Sequence, residues 1–241
     1  MINNAIDHSG SEAVVVEVQR NALWTEVVVR DAGEGIFLKI KRVFDLHDAR
    51  EAILELAKGK LTTAPEAHSG EGIFFTSRAM DRFEIESHQL LFSTAPRDGD
   101  SIVDQDADTE GALVRMRLFN NSPRQMQEVF GAYTESEDCT FDKTVVPLHL
   151  AQYTGEKLVS RSQAKRVSYR FERFKRVELD FEGISEIGQG FADELFRVFV
   201  NAHPEIRVTP INTEPAVARM IRRVANARAS EAKNEGGGQP A

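Results

Sequence analysis

Two valine-rich stretches, EAVVVEVQ at 12–19 and WTEVVVRD at 24–31, stand four residues apart near the start of the chain. Branched side chains are stiff and pack well on a pleated surface, so both stretches read as strands. The short connection between them, which includes Arg20 and Asn21, suits an antiparallel hairpin. The two-residue period of a strand then puts Thr25, Val27, Val29 and Asp31 on one face. Asp31 therefore leaves the second strand on the side of the buried valines. A carboxylate facing a core needs a partner, because burying it unpaired is costly.

The rest of the chain alternates helix and strand patterns. Asp48 and Glu51 stand in capping-box spacing and Gly59 supplies a stop, so a helix is expected over 48–58 with Ile53, Leu54 and Ala57 on its apolar stripe. A second helix is expected from Gly70 to about Arg82, then strands near 83–94 and 112–119. The acidic stretch from Asp98 to Glu110 reads as a loop. Residues 121–140 read as a linker, which makes 1–120 one domain. A second domain over 141–228 alternates strand 143–148, helix 160–170, strand 176–181, helix 189–202, strand 206–211 and helix 214–229. The tail, 229–241, lacks apolar periodicity and reads as disordered. The fold class expected is α/β (α+β): a two-layer α/β sandwich followed by a small α/β domain.

Composition narrows the function classes. The 241 residues carry 30 basic and 38 acidic side chains, a net charge of −8, which argues against sequence-independent binding to nucleic acid. No apolar run approaches the ~20 residues that span a bilayer, and the N-terminus lacks a signal-peptide pattern. Cys139 is the single cysteine, which excludes an internal disulfide and a multi-Cys zinc site. A cytoplasmic protein is expected. The acidic run 104–108 lacks the EF-hand pattern, with Thr109 where Gly is required and Arg115 where Glu is required.

Three short segments carry the chemistry. The chain opens Asn3-Asn4-Ala5-Ile6-Asp7-His8-Ser9; Asp31-Ala32-Gly33-Glu34-Gly35-Ile36 ends a strand; His68-Ser69-Gly70-Glu71-Gly72-Ile73 opens a helix. In this order they resemble the N box and the two glycine boxes of the ATPase domain shared by gyrase, histidine kinases, MutL and anti-sigma serine kinases (GHKL, or Bergerat, ATPases). The resemblance implies ATP and Mg²⁺ as cofactors. It assigns Asn4 to the metal and Asp31 to the adenine amino group, with Gly33 and Gly35 at the base. Gly70 and Gly72 would offer N–H groups to phosphate. It also implies a mobile lid over Phe37–Ser69, with Lys58 or Lys60 reaching a phosphate. Read singly, Asn4 is a helix cap, Asp31 a turn former and the glycines loop punctuation. His8 shares a helical face with Asn4, as a structural hydrogen-bonding group or a phosphate contact. His47, His88, His149 and His203 read as surface or structural.

Two departures stand out. The acidic residue that activates water in hydrolytic members lies four positions before the metal-binding Asn, upstream of Met1 here. Gly111 is followed by Ala112 where the family often has Thr. In the second half, LDFEGISEIGQGFADELFRVFVNAHPEIRVTPIN resembles the STAS-like domains fused behind such ATPases. Phe191, Leu195, Phe196 and Phe199 form a core-facing stripe there. The helix opens Gly188-Gln189-Gly190, without the serine of phosphorylated antagonists; Ser185 lies earlier in the loop. The basic cluster Lys165, Arg166, Arg170, Arg173, Lys175 and Arg176 reads as a solvated face or a docking surface for an acidic partner or nucleic acid.

Together these imply an ATP/Mg²⁺-binding regulatory protein. Its STAS-like domain would engage an unidentified protein partner, with no membrane and no direct nucleic-acid contact; a homodimer is compatible with it. The alternatives are an active ATPase or serine kinase, and a scaffold without nucleotide binding.

Overall fold

The computed structural model describes residues 1–64, 66, 68–134, 140–152 and 156–235, with side chains as far as 226. Cys139 and residues 236–241 of the tail lie outside the described residues. The chain divides into two compact units, Met1–Phe141 and Asp142–Ala241. The architecture is mixed α/β, with a four-stranded antiparallel sheet in the first unit and a three-stranded parallel sheet in the second. Among the described residues no helix is long and apolar enough to cross a membrane.

The first unit opens with α1 (Ile2–His8) and the hairpin β1 (Val14–Arg20) and β2 (Trp24–Asp31). Helices α2 (Ile36–Val43), α3 (Ala49–Lys58) and α4 (Gly72–Ala79) follow, then β3 (Arg82–Ala95), β4 (Gly99–Phe119) and α5 (Met126–Gly131). The strand order is β1-β2-β4-β3. Register places Val29 opposite both Val16 and Val114, and Asp31 opposite Val14 and Ala112. The core lies between this face of the sheet and the helices: Phe37 and Ile40 from α2, Ile53 and Leu56 from α3, and Phe83, Ile85 and Val114 from the strands.

Asp48 caps α3, its carboxylate accepting from the Arg50 N–H at 2.7 Å. The Glu51 carboxylate reaches back to the His47 N–H at 3.2 Å, so the two capping bonds are offset by one residue from the expected box.

Two expectations for this unit are corrected. Of the acidic stretch 98–110, Asp98 ends the turn, while 99–110 is not a loop but the outer part of β4, paired with β3 through Ala95 opposite Gly99 and Thr94 opposite Asp100. Aspartates are poor strand formers. Here Asp104, Asp106 and Asp108 are exposed, the last two where the ladder register shifts, and buried Asp100 is paired with Arg78 at 2.7 Å. The proposed lid, Phe37–Ser69, is mostly core. Its first part forms α2 and α3, with Phe37 and Ile53 fully packed; the spacing of Ile36, Phe37, Ile40 and Phe44 is helical. The 121–140 segment carries α5, and its rings pack on α4, with Phe130 against Phe75 and Tyr133 against Phe74.

The second unit runs β5 (Lys143–Pro147), α6 (Arg161–Ser168), β6 (Arg176–Asp180) and α7 (Gln189–Asp193). Helix α7 winds on through a π-helical segment (Glu194–Phe199) into α8 (Val200–Ala202), followed by β7 (Arg207–Ile211) and α9 (Pro215–Glu235). The strands are parallel in the order β5-β6-β7, as helical crossovers require. Ser160 and Gln163 form a complete capping box on α6. Phe191, Leu195 and Phe196 are buried as expected, while Phe199 is half-buried and stacks on His203 at 4.5 Å. The tail is helical to Glu235, beyond the expected end at 229, because Ala, Glu and Lys there are strong helix formers.

Candidate functional site

A cavity of about 280 Å³ opens in the first unit, between α1, the end of β2, Ala112 and Val114 within β4, α2 and the segment joining α3 to α4. Its size is at the lower edge of the ~300–1,000 Å³ usual for small-molecule sites. Asn4, Asp31, Gly35, Gly70 and Gly72 all line it; Gly33 does not.

Helix α1 presents one face to the cavity. Met1, Asn4, Ala5 and His8 recur at helical spacing along that face, and all four line the wall. Asn4 is half-buried, and its amide makes no hydrogen bond among the described residues. Its carbonyl oxygen is therefore available to a ligand.

Asp31 ends β2 with 8% of its surface exposed. Its Oδ1 accepts from the Gly33 N–H at 3.0 Å, its one hydrogen-bonded side-chain contact among the described residues. Val29 and Val114, neighbours across the ladder, and Ala112, opposite Asp31 itself, line the adjoining wall. A carboxylate set in such an apolar wall can accept a hydrogen bond from a ligand N–H. Gly111 fixes the approach: its φ is +68°, and an added Cβ would lie 2.2 Å from the Asp31 carbonyl oxygen.

The glycines differ in what they do. An added Cβ at Gly33 would stand 2.0 Å from the Ser9 carbonyl oxygen, which also accepts from the Glu34 N–H at 3.3 Å. Gly33 is thus the joint where the turn after β2 meets the end of α1. Gly35, with φ +86°, sits against Ser87 and His88 and precedes α2. His88 holds this turn, its Nε2 lying 3.0 Å from the Glu34 carbonyl oxygen and its Nδ1 3.3 Å from Asp108. Gly70, with φ +75°, packs on the Leu61 backbone and closes the segment before α4. Gly72 has open space where a Cβ would be; no packing requires a glycine there.

Neither lysine expected at a phosphate is placed for it. Lys58 is fully buried and pairs with Glu55, 2% exposed, at 2.5 Å. Lys60 lies over the Phe141 ring, 5.5 Å from its centroid. The lysine that lines the cavity is Lys39, one turn into α2, whose ammonium donates to the His8 carbonyl oxygen. The resemblance, which assigns 37–69 to a lid, gives it no role. Its position four residues after Gly35 on an amphipathic helix was the available signal. Thr62, Thr63, His68 and Ser69 complete this part of the wall.

The His8 and His68 rings meet edge-on at 4.9 Å, Thr63 Oγ1 lies 3.5 Å from His8 Nδ1, and Asp7 lies 3.4 Å from His68. Burial, then the charges of Lys39 and His68, hold His8 below its usual imidazole range against a smaller opposing effect of Asp7. Asp7 itself is outside the cavity wall.

Among the described residues of the second unit there is no comparable set of groups. Two backbone amides here are engaged: the Gly188 N–H, just before α7, donates to Leu158 O at 2.8 Å and the Phe191 N–H to Val159 O at 3.2 Å. Ser185 is exposed in the preceding loop. The basic cluster does not form one patch: Arg170 is buried, Arg176 pairs with Glu178 and Lys175 with Asp142. Among the described residues no group of three or more His, Cys, Asp or Glu is placed to hold a metal ion.

No curated protein matches this chain. A family model described as a STAS-like domain of unknown function (DUF4325) matches residues 163–218, from α6 into the first turn of α9. The second unit therefore contains a STAS-like domain.

Proposed function

We propose that the first unit binds ATP with Mg²⁺ in the α1–β2–α2 cavity and that the protein is a nucleotide-controlled docking protein, its STAS-like domain engaging a protein partner. The observation that carries this reading is convergence. Asn4, Asp31, Gly35, Gly70 and Gly72 come from segments up to 68 positions apart in sequence and line a single cavity. Each has the chemistry the resemblance requires. Asp31 has one oxygen engaged by Gly33 and the other without a donor among the described residues, suited to an adenine amino group. Gly72 leaves room at its Cα for a phosphate beside the start of α4.

Asn4 supplies one neutral oxygen. That suits Mg²⁺ carried by phosphates and water better than a dedicated protein cage. Asp31 is the one carboxylate among the residues lining the cavity, and adenine recognition occupies it. A switch that binds nucleotide and releases it slowly changed is favoured over a fast hydrolase. The lack of a serine in Gly188-Gln189-Gly190, where the helix opens, favours protein docking over phosphoryl acceptance for the STAS-like domain.

Calorimetric titration of the full chain with ATP, with and without Mg²⁺, tests the reading. One saturable site, strengthened by Mg²⁺, supports it. Absence of binding at millimolar ATP leaves the scaffold alternative.

A further inference from the structure

We infer that Lys39 is the residue by which this cavity distinguishes a phosphorylated nucleotide from its nucleoside: it forms the cationic centre of an anion subsite completed by His8, His68 and the hydroxyls of Thr62, Thr63 and Ser69. The inference rests on the nucleotide reading above and adds the specificity-determining group to it.

Lys39 is the one lysine or arginine among the residues lining the cavity. It is half-buried, and among the described residues its ammonium makes no ion pair; the bond it makes is to the His8 carbonyl oxygen. Among the described residues no carboxylate stands at ion-pair distance from this ammonium; the nearby Glu34, which feels its charge, pairs with Arg42 instead. Lys58 shows the contrast, buried against Glu55.

Position is fixed from two sides. Phe37 and Ile40, flanking Lys39 on α2, are 1% and 4% exposed and locked in the core. The bond to His8 ties the side chain to the last residue of α1, where helix carbonyls attract cations. Around it stand two imidazoles, edge-on at 4.9 Å, and three hydroxyls. Charge-assisted hydrogen bonds from such groups are the ones that recognise phosphate oxygens. Burial first, and then the charge of Lys39, lower the proton affinity of His8, so the ammonium is felt at the imidazole beside it.

The test titrates the full chain with adenosine, ATP and inorganic tripolyphosphate, comparing wild type with Lys39→Met and Lys39→Arg, each checked for folding by its unfolding midpoint. Lys39→Met should weaken ATP about 10- to 100-fold, the range for losing a charged hydrogen bond. It should abolish tripolyphosphate binding while leaving adenosine within about two-fold; Lys39→Arg should retain most ATP affinity. Unchanged ATP affinity in folded Lys39→Met overturns the inference. So does an equal loss for adenosine and ATP, which would make Lys39 only a clamp on α1. Wild type that binds tripolyphosphate but neither adenosine nor ATP would refute the nucleotide reading and leave the anion subsite standing. Wild type that binds none of the three would remove both.

Discussion

Replacing Asp31 by Asn separates binding chemistry from packing more cleanly than any other change in the first unit. The side chain is 8% exposed and accepts one hydrogen bond, from the Gly33 N–H at 3.0 Å. Asn has the same shape and keeps an oxygen for that bond, so folding stability should change by about 1 kcal/mol or less. The ligand bond suffers more, because a charged acceptor facing an amino group is replaced by a neutral one. Charged hydrogen bonds contribute ~1.5–3 kcal/mol, so a loss of about 1–3 kcal/mol in ATP affinity is expected, ~5- to 150-fold in Kd. Calorimetry should show that loss for ATP and adenosine alike, since both carry the base. ATP binding unchanged in a variant with a wild-type unfolding midpoint would remove Asp31 from the site and break the reasoning that turned it inward.

The glycines give a paired expectation. Gly33→Ala drives a Cβ toward the Ser9 carbonyl oxygen at 2.0 Å and should cost about 1–3 kcal/mol of stability. Gly72→Ala meets nothing within 4 Å, so the unfolding midpoint should hold or rise while ATP affinity falls. Lys58→Met removes the ammonium paired with the buried Glu55 carboxylate and should cost a few kcal/mol in a urea titration, up to about 3–5 kcal/mol, without weakening ATP binding of the folded protein. His8 gives a pH dependence. Its folded pKa lies below the ordinary 6.5, chiefly through burial. Above pH 6.5 it is neutral in both states; as pH falls below that, the unfolded chain takes the proton first, so stability declines and then levels off below the folded value. His8→Gln should flatten this part of the stability curve, and an unaltered slope would assign it elsewhere.

What could be read from the sequence followed from local physics. The hairpin, the inward turn of Asp31 and the capped helix ending at Gly59 depend on strand parity, hydrophobic spacing and capping residues, all visible in the chain. The outer part of β4 was hidden because Asp104, Asp106 and Asp108 argue against a strand. Pairing with β3 overrides that propensity, and the aspartates stay in solvent. Helix α2 was hidden by the resemblance itself, which assigned its residues to a lid although Phe37 and Ile40 carried core spacing. Lys39 was lost with it. Lys58, a lid residue by the resemblance, is paired with Glu55 three residues earlier, a contact at ordinary helical ion-pair spacing. In the second unit, the β5–β6–β7 order and the buried stripe of α7 follow from alternation and apolar period. The carbonyls of Leu158 and Val159 that engage the Gly188 and Phe191 amides are backbone groups, and no side-chain pattern announces them.

Hydrogen–deuterium exchange of the full chain, with and without saturating ATP·Mg²⁺, bears most directly on the claim that one cavity gathers the three motif segments around a nucleotide. Backbone amides of α1, of the turn after Asp31 and of the segment from Leu61 to Gly72 supply or adjoin its wall. Protection should rise together in peptides covering 1–9, 29–36 and 61–73, and the same peptides in Asp31→Asn should need more ATP to reach it. Protection confined to one of these segments, or ATP-dependent changes only within the STAS-like domain at 163–218, would contradict the assignment of the site.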